Sequence, residues 1–177
     1  DAFVRLKRSE RFRDARLHLS GGVTGDDHSL WAALKKKFAD EGVDRDVQVF
    51  DFDPPHRREF LASLSVLSVP TLTPVAFGTY VLEALASGVP VVLPNLGSFP
   101  ELVEATGGGI LYEPNDAVTL ARSLGELLGD EDQRSRLGEQ GRNSILKGFD
   151  LEAFAGRMLD VYRTVIASRG SLQPRSA

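Results

Sequence analysis

The residues best suited to chemistry in this chain lie between Pro70 and Val92, in the run Pro-Thr-Leu-Thr-Pro-Val-Ala-Phe-Gly-Thr-Tyr-Val-Leu-Glu-Ala-Leu-Ala-Ser-Gly-Val-Pro-Val-Val. A strand-like stretch stops at Pro70, and a loop leads into a helix at about Phe77. The opening turn of a helix leaves backbone N–H groups without partners and carries the positive end of the dipole, which suits phosphate oxygens. Gly78 removes side-chain bulk where backbone must come close to a ligand. Glu83 stands more than a turn further in. Helical side chains lean toward the N-terminus, so its carboxylate reaches back toward the loop. A carboxylate that accepts two hydroxyl hydrogen bonds holds a ribose diol. Leu82, Ala84, Leu85 and Ala86 make this helix largely apolar, which places Glu83 in a mostly buried element. A helix-opening glycine or a lone helix glutamate is ordinary by itself; their combination on one such helix singles the segment out.

Other candidate groups carry less. Gly21-Gly22-Val23-Thr24-Gly25 is a glycine-rich connection between a strand and a helix, but it has neither a Gly-Lys-Ser/Thr ending nor dinucleotide spacing. Loop geometry, with Asp26 or Asp27 capping the next helix, is the reading for it. His18, His28 and His56 have no partners at metal-ligand spacing, so no metal site is expected. His18 falls within a strand and reads as a core or edge residue. The absence of cysteine excludes disulfides, thiolate catalysis and cysteine–zinc sites.

The elements that must position these residues alternate along the chain. Helical spacing of Ala2, Phe3 and Leu6 opens it. Strand-like stretches cover 15–20, 47–52, 66–69, 89–93 and 109–112, and helical stretches cover 29–41, 57–64, 78–87 and 99–105. Three helices close the chain: one after Asp116, with Leu120, Leu124, Leu127 and Leu128 at helical spacing; a polar one over 131–147; and a last one after Asp150. Five short strands alternating with helices imply right-handed βαβ crossovers, hence an α/β fold with a doubly wound parallel sheet. In such sheets ligands bind beyond the carboxyl ends of the strands, where the Pro70–Gly78 loop lies. The stripe of Phe154, Met158 and Tyr162 on the last helix reads as packing surface, partly covered and partly exposed. Residues 1–170 read as one domain and 171–177 as a disordered tail.

The 177 residues, 42% apolar and 26% charged, are enough for a sizeable core. With 21 basic and 25 acidic side chains the net charge is −4, which argues against a nucleic-acid partner bound through phosphates. Lys35-Lys36-Lys37 sits on the polar face of a helix and reads as a solvated face. It also leaves room for weak peripheral attraction to anionic headgroups. The expected location is the cytoplasm, or the inner face of its membrane.

The residues Phe77-Gly78, Glu83-Ala84-Leu85-Ala86, Gly88, Pro90-Val91-Val92, Gly97, Pro100-Glu101-Leu102-Val103 and Gly107-Gly108-Gly109-Ile110-Leu111-Tyr112-Glu113-Pro114 follow one another in a pattern that resembles the C-terminal, donor-binding lobe of retaining GT-B glycosyltransferases of the family four, or group 1, type. That family's pattern is E-x-F-G-x-x-x-x-E-A-M-A-x-G-x-P-V-V followed by a glycine loop and P-E-x-V. The resemblance covers nearly the whole chain. It implies a transferase, of hexosyltransferase type in the full-length protein, acting on a nucleoside diphosphate sugar as substrate with no cofactor and no metal. It implies donor contacts from Phe77, Gly78, Thr79, Tyr80 and Glu83, and base contacts from Phe52 and Asp53; no catalytic residue is assigned. It also implies that a first strand, a loop with a diphosphate-neutralising Arg and Lys, and an N-terminal lobe for a sugar or lipid-linked acceptor lie outside these residues, so that this piece alone transfers nothing.

The sequence departs from the family at two places. Val75 stands where the pattern has its first glutamate, eight positions before Glu83, and that carboxylate would contact hydroxyls of the donor sugar. Asp51 stands where the family favours glycine, beside the base loop. Val75 supports an alternative reading, a catalytically degenerate lobe that binds or scaffolds. A nucleotide-sugar epimerase on the same fold would want a histidine or acid pair in the cleft, and none is found. A phosphorylation receiver domain would want an acidic cluster after a first strand.

Overall fold

The computed structural model describes residues 1–21, 27–50, 54–149 and 151–169. The glycine connection at 22–25, the base-contact candidates Phe52 and Asp53, and the expected tail at 171–177 lie outside the described residues. The elements are α1 (Ala2–Lys7), β1 (Leu17–Ser20), α2 (His28–Asp40), β2 (Val47–Phe50), α3 (Pro54–Ala62), β3 (Leu67–Ser68), α4 (Thr79–Ala86), β4 (Val91–Pro94), α5 (Phe99–Thr106), β5 (Gly109–Tyr112), α6 (Ala117–Gly129), α7 (Glu131–Gly148) and α8 (Leu151–Arg169). The first ordered element is a helix, as the spacing of Ala2, Phe3 and Leu6 predicts.

Every strand pairing is parallel. Leu17 to Ser20 of β1 face Val47 to Phe50 of β2, residue for residue. In the second sheet the order is β3-β4-β5: Leu67 pairs with Val91, and Val91 to Pro94 pair with Gly109 to Tyr112. Parallel neighbours need crossover connections, which the intervening helices supply.

The central strand β4 is buried at all four positions, which explains its unbroken apolar sequence. Its side chains alternate between two cores. Val91 and Leu93 join Phe60, Leu61, Val81, Leu85 and Phe99 in one cluster. Val92 joins Tyr112, Leu120 and Leu127 in the other. One strand covered on both faces is the doubly wound architecture that the alternation predicts. A third cluster, Val4, Phe38 and Val43, ties α1 and α2 together beside β1 and β2.

The expected continuous sheet is divided in two. Between β1 and β3 lies a cavity of about 790 Å³ lined largely by apolar side chains, among them Phe3, Leu17, Leu19, Leu67, Leu120 and Leu124. Side chains link the two parts: the ring of Phe50 packs 5.4 Å from that of Phe60, and His18 Nδ1 lies 3.0 Å from Ser63 Oγ. Ser63 Oγ donates to Phe60 O at 2.7 Å, so Nδ1 is the donor in the His18 contact. The strand reading of His18 holds; it is a half-buried link from β1 to the end of α3.

Two of the last helices begin with side-chain caps. Asp116 accepts from the N–H groups of Val118 and Thr119 at 2.8 Å each, and Asp130 accepts from Gln133 N at 2.8 Å. Of the two candidate caps for α2, Asp26 lies outside the described residues, and Asp27 occupies the N-cap position with helical φ and ψ and makes no side-chain cap bond. A side chain caps best from an extended residue, as Asp116 and Asp130 do. The closing helix α8 leaves Phe154 and Tyr162 each 55% exposed, with Leu159, Val161, Val165 and Ile166 exposed as well; only Met158 of the expected stripe is half-buried, so the stripe is mostly open rather than partly covered. Among the described residues no helix is long and apolar enough to cross a membrane.

Candidate functional site

The loop from Val69 to Gly78 is held from three sides. Thr71 N–H turns back to Val69 O at 2.8 Å, and Thr71 Oγ1 donates to Thr73 O at 2.9 Å. Asn115 Nδ2 donates to Thr71 O at 2.8 Å, while Tyr112 OH donates to Asn115 Oδ1 at 3.1 Å. The far end rests on the turn between β4 and α5: Ser98 N–H donates to Val75 O at 3.0 Å, and Ser98 Oγ donates to Phe77 O at 3.3 Å. Gly97 makes that approach possible. Its φ is +61°, and a Cβ there would stand 2.6 Å from Val75 N and 2.7 Å from Val75 O, far inside contact distance.

Gly78 is the N-cap of α4, buried, with φ 75° and ψ 54°. This left-handed conformation costs an L-residue energy and costs glycine none. A Cβ at Gly78 would also meet Phe99 Cε1 at 3.2 Å. The sharp turn lets α4 start at Thr79, with Val81 N–H closing back on Gly78 O at 2.9 Å. The first amides of α4, at Thr79 and Tyr80, have no carbonyl four residues earlier in the helix to bond. Among the described residues no side chain caps them. Phe77 is 55% exposed and Thr79 is exposed, whereas Tyr80 is half-buried. Burial raises the Tyr80 phenol above its ordinary value, so at neutral pH it is a neutral hydroxyl.

Glu83 follows one turn later. Its neighbours Val81, Ala84 and Leu85 face the core, and its own side chain is about one-third exposed at 35%. Arg57 Nη1, from α3, donates to Glu83 Oε1 at 2.7 Å. An ion pair this exposed adds only about 0–1 kcal/mol to folding, so its consequence lies in where it puts the carboxylate.

The structure therefore gathers Phe77, Gly78, Thr79, Tyr80 and Glu83 at one end of one helix. Val75 is half-buried and packs against the main core cluster. Sequence reasoning passed over Arg57, whose partner lies 26 positions away, and Ser98, whose two bonds to the loop depend on a turn outside it. Gly97 stood in the motif without a role; its contact with Val75 supplies one. The 790 Å³ cavity is not this site: it lies between the sheets, and none of the five gathered residues lines it. Among the described residues no cluster of His, Asp or Glu is arranged to hold a metal ion. What the arrangement offers chemically is a set of open amides for anionic oxygens and a carboxylate for hydroxyls.

Residues 1–144 match the family described as Glycosyl transferases group 1. The D-inositol 3-phosphate glycosyltransferase of Corynebacterium urealyticum is 28% identical over 159 residues, which are 88% of this chain and 37% of that protein. The chain thus spans little more than a third of the length of that curated relative. The C-terminal domain of a glycosyl transferase group 1 family protein, LpcC, from Francisella tularensis superimposes with a TM-score of 0.75 at 22% identity, covering 85% of this chain and 76% of that one. Anabaena HepE, solved in complex with UDP, gives a TM-score of 0.79 at 18% identity and covers 92% of this chain and 44% of that one. The parallel α/β fold, the ordered motif around Gly78 and Glu83, and a family match over 144 of 177 residues agree: this chain belongs to the group 1 glycosyl transferases.

Proposed function

We propose that the chain is the donor-binding lobe of a retaining glycosyltransferase that moves a sugar from a nucleoside diphosphate sugar to an acceptor. The observation that carries this reading is the Gly78 turn, which presents the uncapped first amides of α4 on the same helix as Glu83. In this reading the amides at Phe77, Gly78 and Thr79, which lead through the Gly78 turn into the first turn of α4, bind the diphosphate. They stabilise the charge that grows on it as the bond to the sugar breaks, without a metal ion. Glu83 accepts from the ribose hydroxyls, Tyr80 borders the pocket, and Phe52 and Asp53 contact the base. The UDP in the HepE structure supports the ligand class.

Acceptor binding, and therefore transfer, belongs in this reading to parts of a longer protein. The apolar cavity between β1 and β3 supports it, because the two sheets leave apolar side chains around a space that this chain does not fill. The exposed apolar stripe of α8 supports it as surface for another lobe.

Calorimetric titration with a panel of nucleoside diphosphates tests the ligand class. Glu83→Gln is expected to weaken binding by about 1.5–3 kcal/mol, the worth of a hydrogen bond to a charged group. The melting temperature should hardly move, since the Arg57 pair is exposed. Equal affinities for the two forms sink the ribose role.

One observation favours a second reading, a lobe that binds donor but has lost turnover. Val75 is half-buried against the core where the family pattern has a carboxylate, so that position offers no acceptor for sugar hydroxyls. Val75→Glu in the full-length protein separates the two: a gain in turnover with unchanged nucleotide affinity indicates decayed catalysis, and no gain favours the first reading.

A further inference from the structure

A glutamate side chain on a helix surface samples several rotamers, and holding two ribose hydroxyls requires one of them. In this structure one oxygen of Glu83 is taken. Arg57 Nη1 binds Oε1 at 2.7 Å, a charge-assisted bond of the short, strong kind. Oε2 accepts no hydrogen bond among the described residues. The arginine sits in the first turn of α3, which follows the candidate base-contact residues Phe52 and Asp53 directly in sequence. It therefore connects the helix after the base loop to the carboxylate proposed for the ribose.

The pair is not needed to fix α3 in place. Phe60 and Leu61 of that helix are buried at 4% and 3% exposure in the main core cluster, whereas both members of the pair are about one-third exposed, where ion pairs contribute little to stability. An ion pair with little effect on folding, placed on the carboxylate proposed for the ribose, acts on orientation.

We propose that Arg57 is a positioning residue for nucleotide recognition: by holding Oε1 it leaves Oε2 in a single orientation for the ribose hydroxyls. This inference rests on the donor-site reading above. It identifies a determinant of preference for ribonucleotides over 2′-deoxyribonucleotides, because only a fixed carboxylate rewards the second hydroxyl.

The test uses the full-length protein and calorimetric titration with UDP, GDP and ADP, each beside its 2′-deoxy counterpart. Wild type, Arg57→Lys, Arg57→Gln, Glu83→Gln and the double variant Arg57→Gln/Glu83→Gln are compared, with melting temperature recorded for each. The wild type is expected to favour the ribonucleotide by about tenfold or more, the lower end for a hydrogen bond to a charged group. Arg57→Gln should lose most of that ratio without a matching drop in melting temperature. Arg57→Lys should recover part of it, and the double variant should bind no more weakly than Glu83→Gln. If Glu83→Gln loses the ratio but Arg57→Gln keeps it, the positioning role is overturned and the donor site stands. Tighter binding by Arg57→Gln also overturns it, since the pair would then block the ligand. If the wild type shows no preference in any of the three pairs, the ribose role of Glu83 fails and the positioning role fails with it.

Discussion

Gly78 shows how one residue type can decide the geometry of a ligand site. Its φ of 75° puts the backbone in a region where side chains are strained, and a Cβ would stand a tight 3.2 Å from the ring of Phe99. Gly78→Ala is expected to destabilise the fold by about 1–2 kcal/mol, the cost of a left-handed L-residue, read as a lower urea midpoint at unchanged slope. Relief of the strain would open the turn and tilt the first amides of α4, so nucleotide affinity should fall as well. An alanine variant that keeps both midpoint and affinity would show that the turn is tolerant and the phosphate role misplaced. Glu83 differs in kind. Its backbone is ordinary helix, its contribution to folding is small, and its value in the proposed site comes from a single partner on another helix.

At the scale of elements, the caps of α6 and α7 stop and start helices that contribute to the core. The Asp116 carboxylate is held below the ordinary carboxylate range chiefly by the Thr119 N–H, with help from Val118 N–H and the nearby Arg122 charge. A carboxylate whose value is depressed on folding stabilises the fold above its unfolded value and loses that contribution as pH falls through the lowered folded value. Melting temperature recorded between about pH 6 and pH 3, around the ordinary aspartate value, should therefore fall less steeply for Asp116→Asn than for wild type. Identical slopes would show that the cap does not respond to acid. The turn between β4 and α5 is a second such element. Through Gly97 and Ser98 it supports the backbone of Val75 and Phe77, so that a loop with little regular structure of its own is held by a neighbour that is fixed in the sheet.

For the whole molecule, the strand β4 and helix α5 join stability to the site. Phe99 is fully buried, sits in the cluster with Val81, Leu85 and Leu93, and touches the space beside Gly78. Phe99→Ala should cost about 3–5 kcal/mol, as large-to-small changes in aromatic cores do, a large share of the about 5–15 kcal/mol that holds a typical domain folded. Chemical denaturation checks it; a loss under about 1 kcal/mol would mean that the site relaxes into the space. The two-part sheet is the other feature of this scale. Its cavity is lined by residues of both β1 and β3, so the two sheets face a shared space with largely apolar walls.

Much of this was legible in the sequence because it is local. Alternating apolar runs, Asp116 before a leucine stripe, prolines after strands and the glycines at 78 and 88 act within a few residues, and they placed the helices and strands to within a few positions. The order Phe77-Gly78, Glu83, Gly88 and Pro90 was likewise readable, since a helix repeats its geometry and carries Glu83 to a known height above Gly78. What the tertiary structure alone decided are contacts between distant positions. Arg57 and Glu83 are 26 residues apart, Gly97 meets the backbone of Val75, and the division of the sheet depends on which strands find partners. Spacing along the chain constrains neighbours on one helix or strand; it carries no record of which side chain of another element arrives beside them, because that depends on how the buried faces pack.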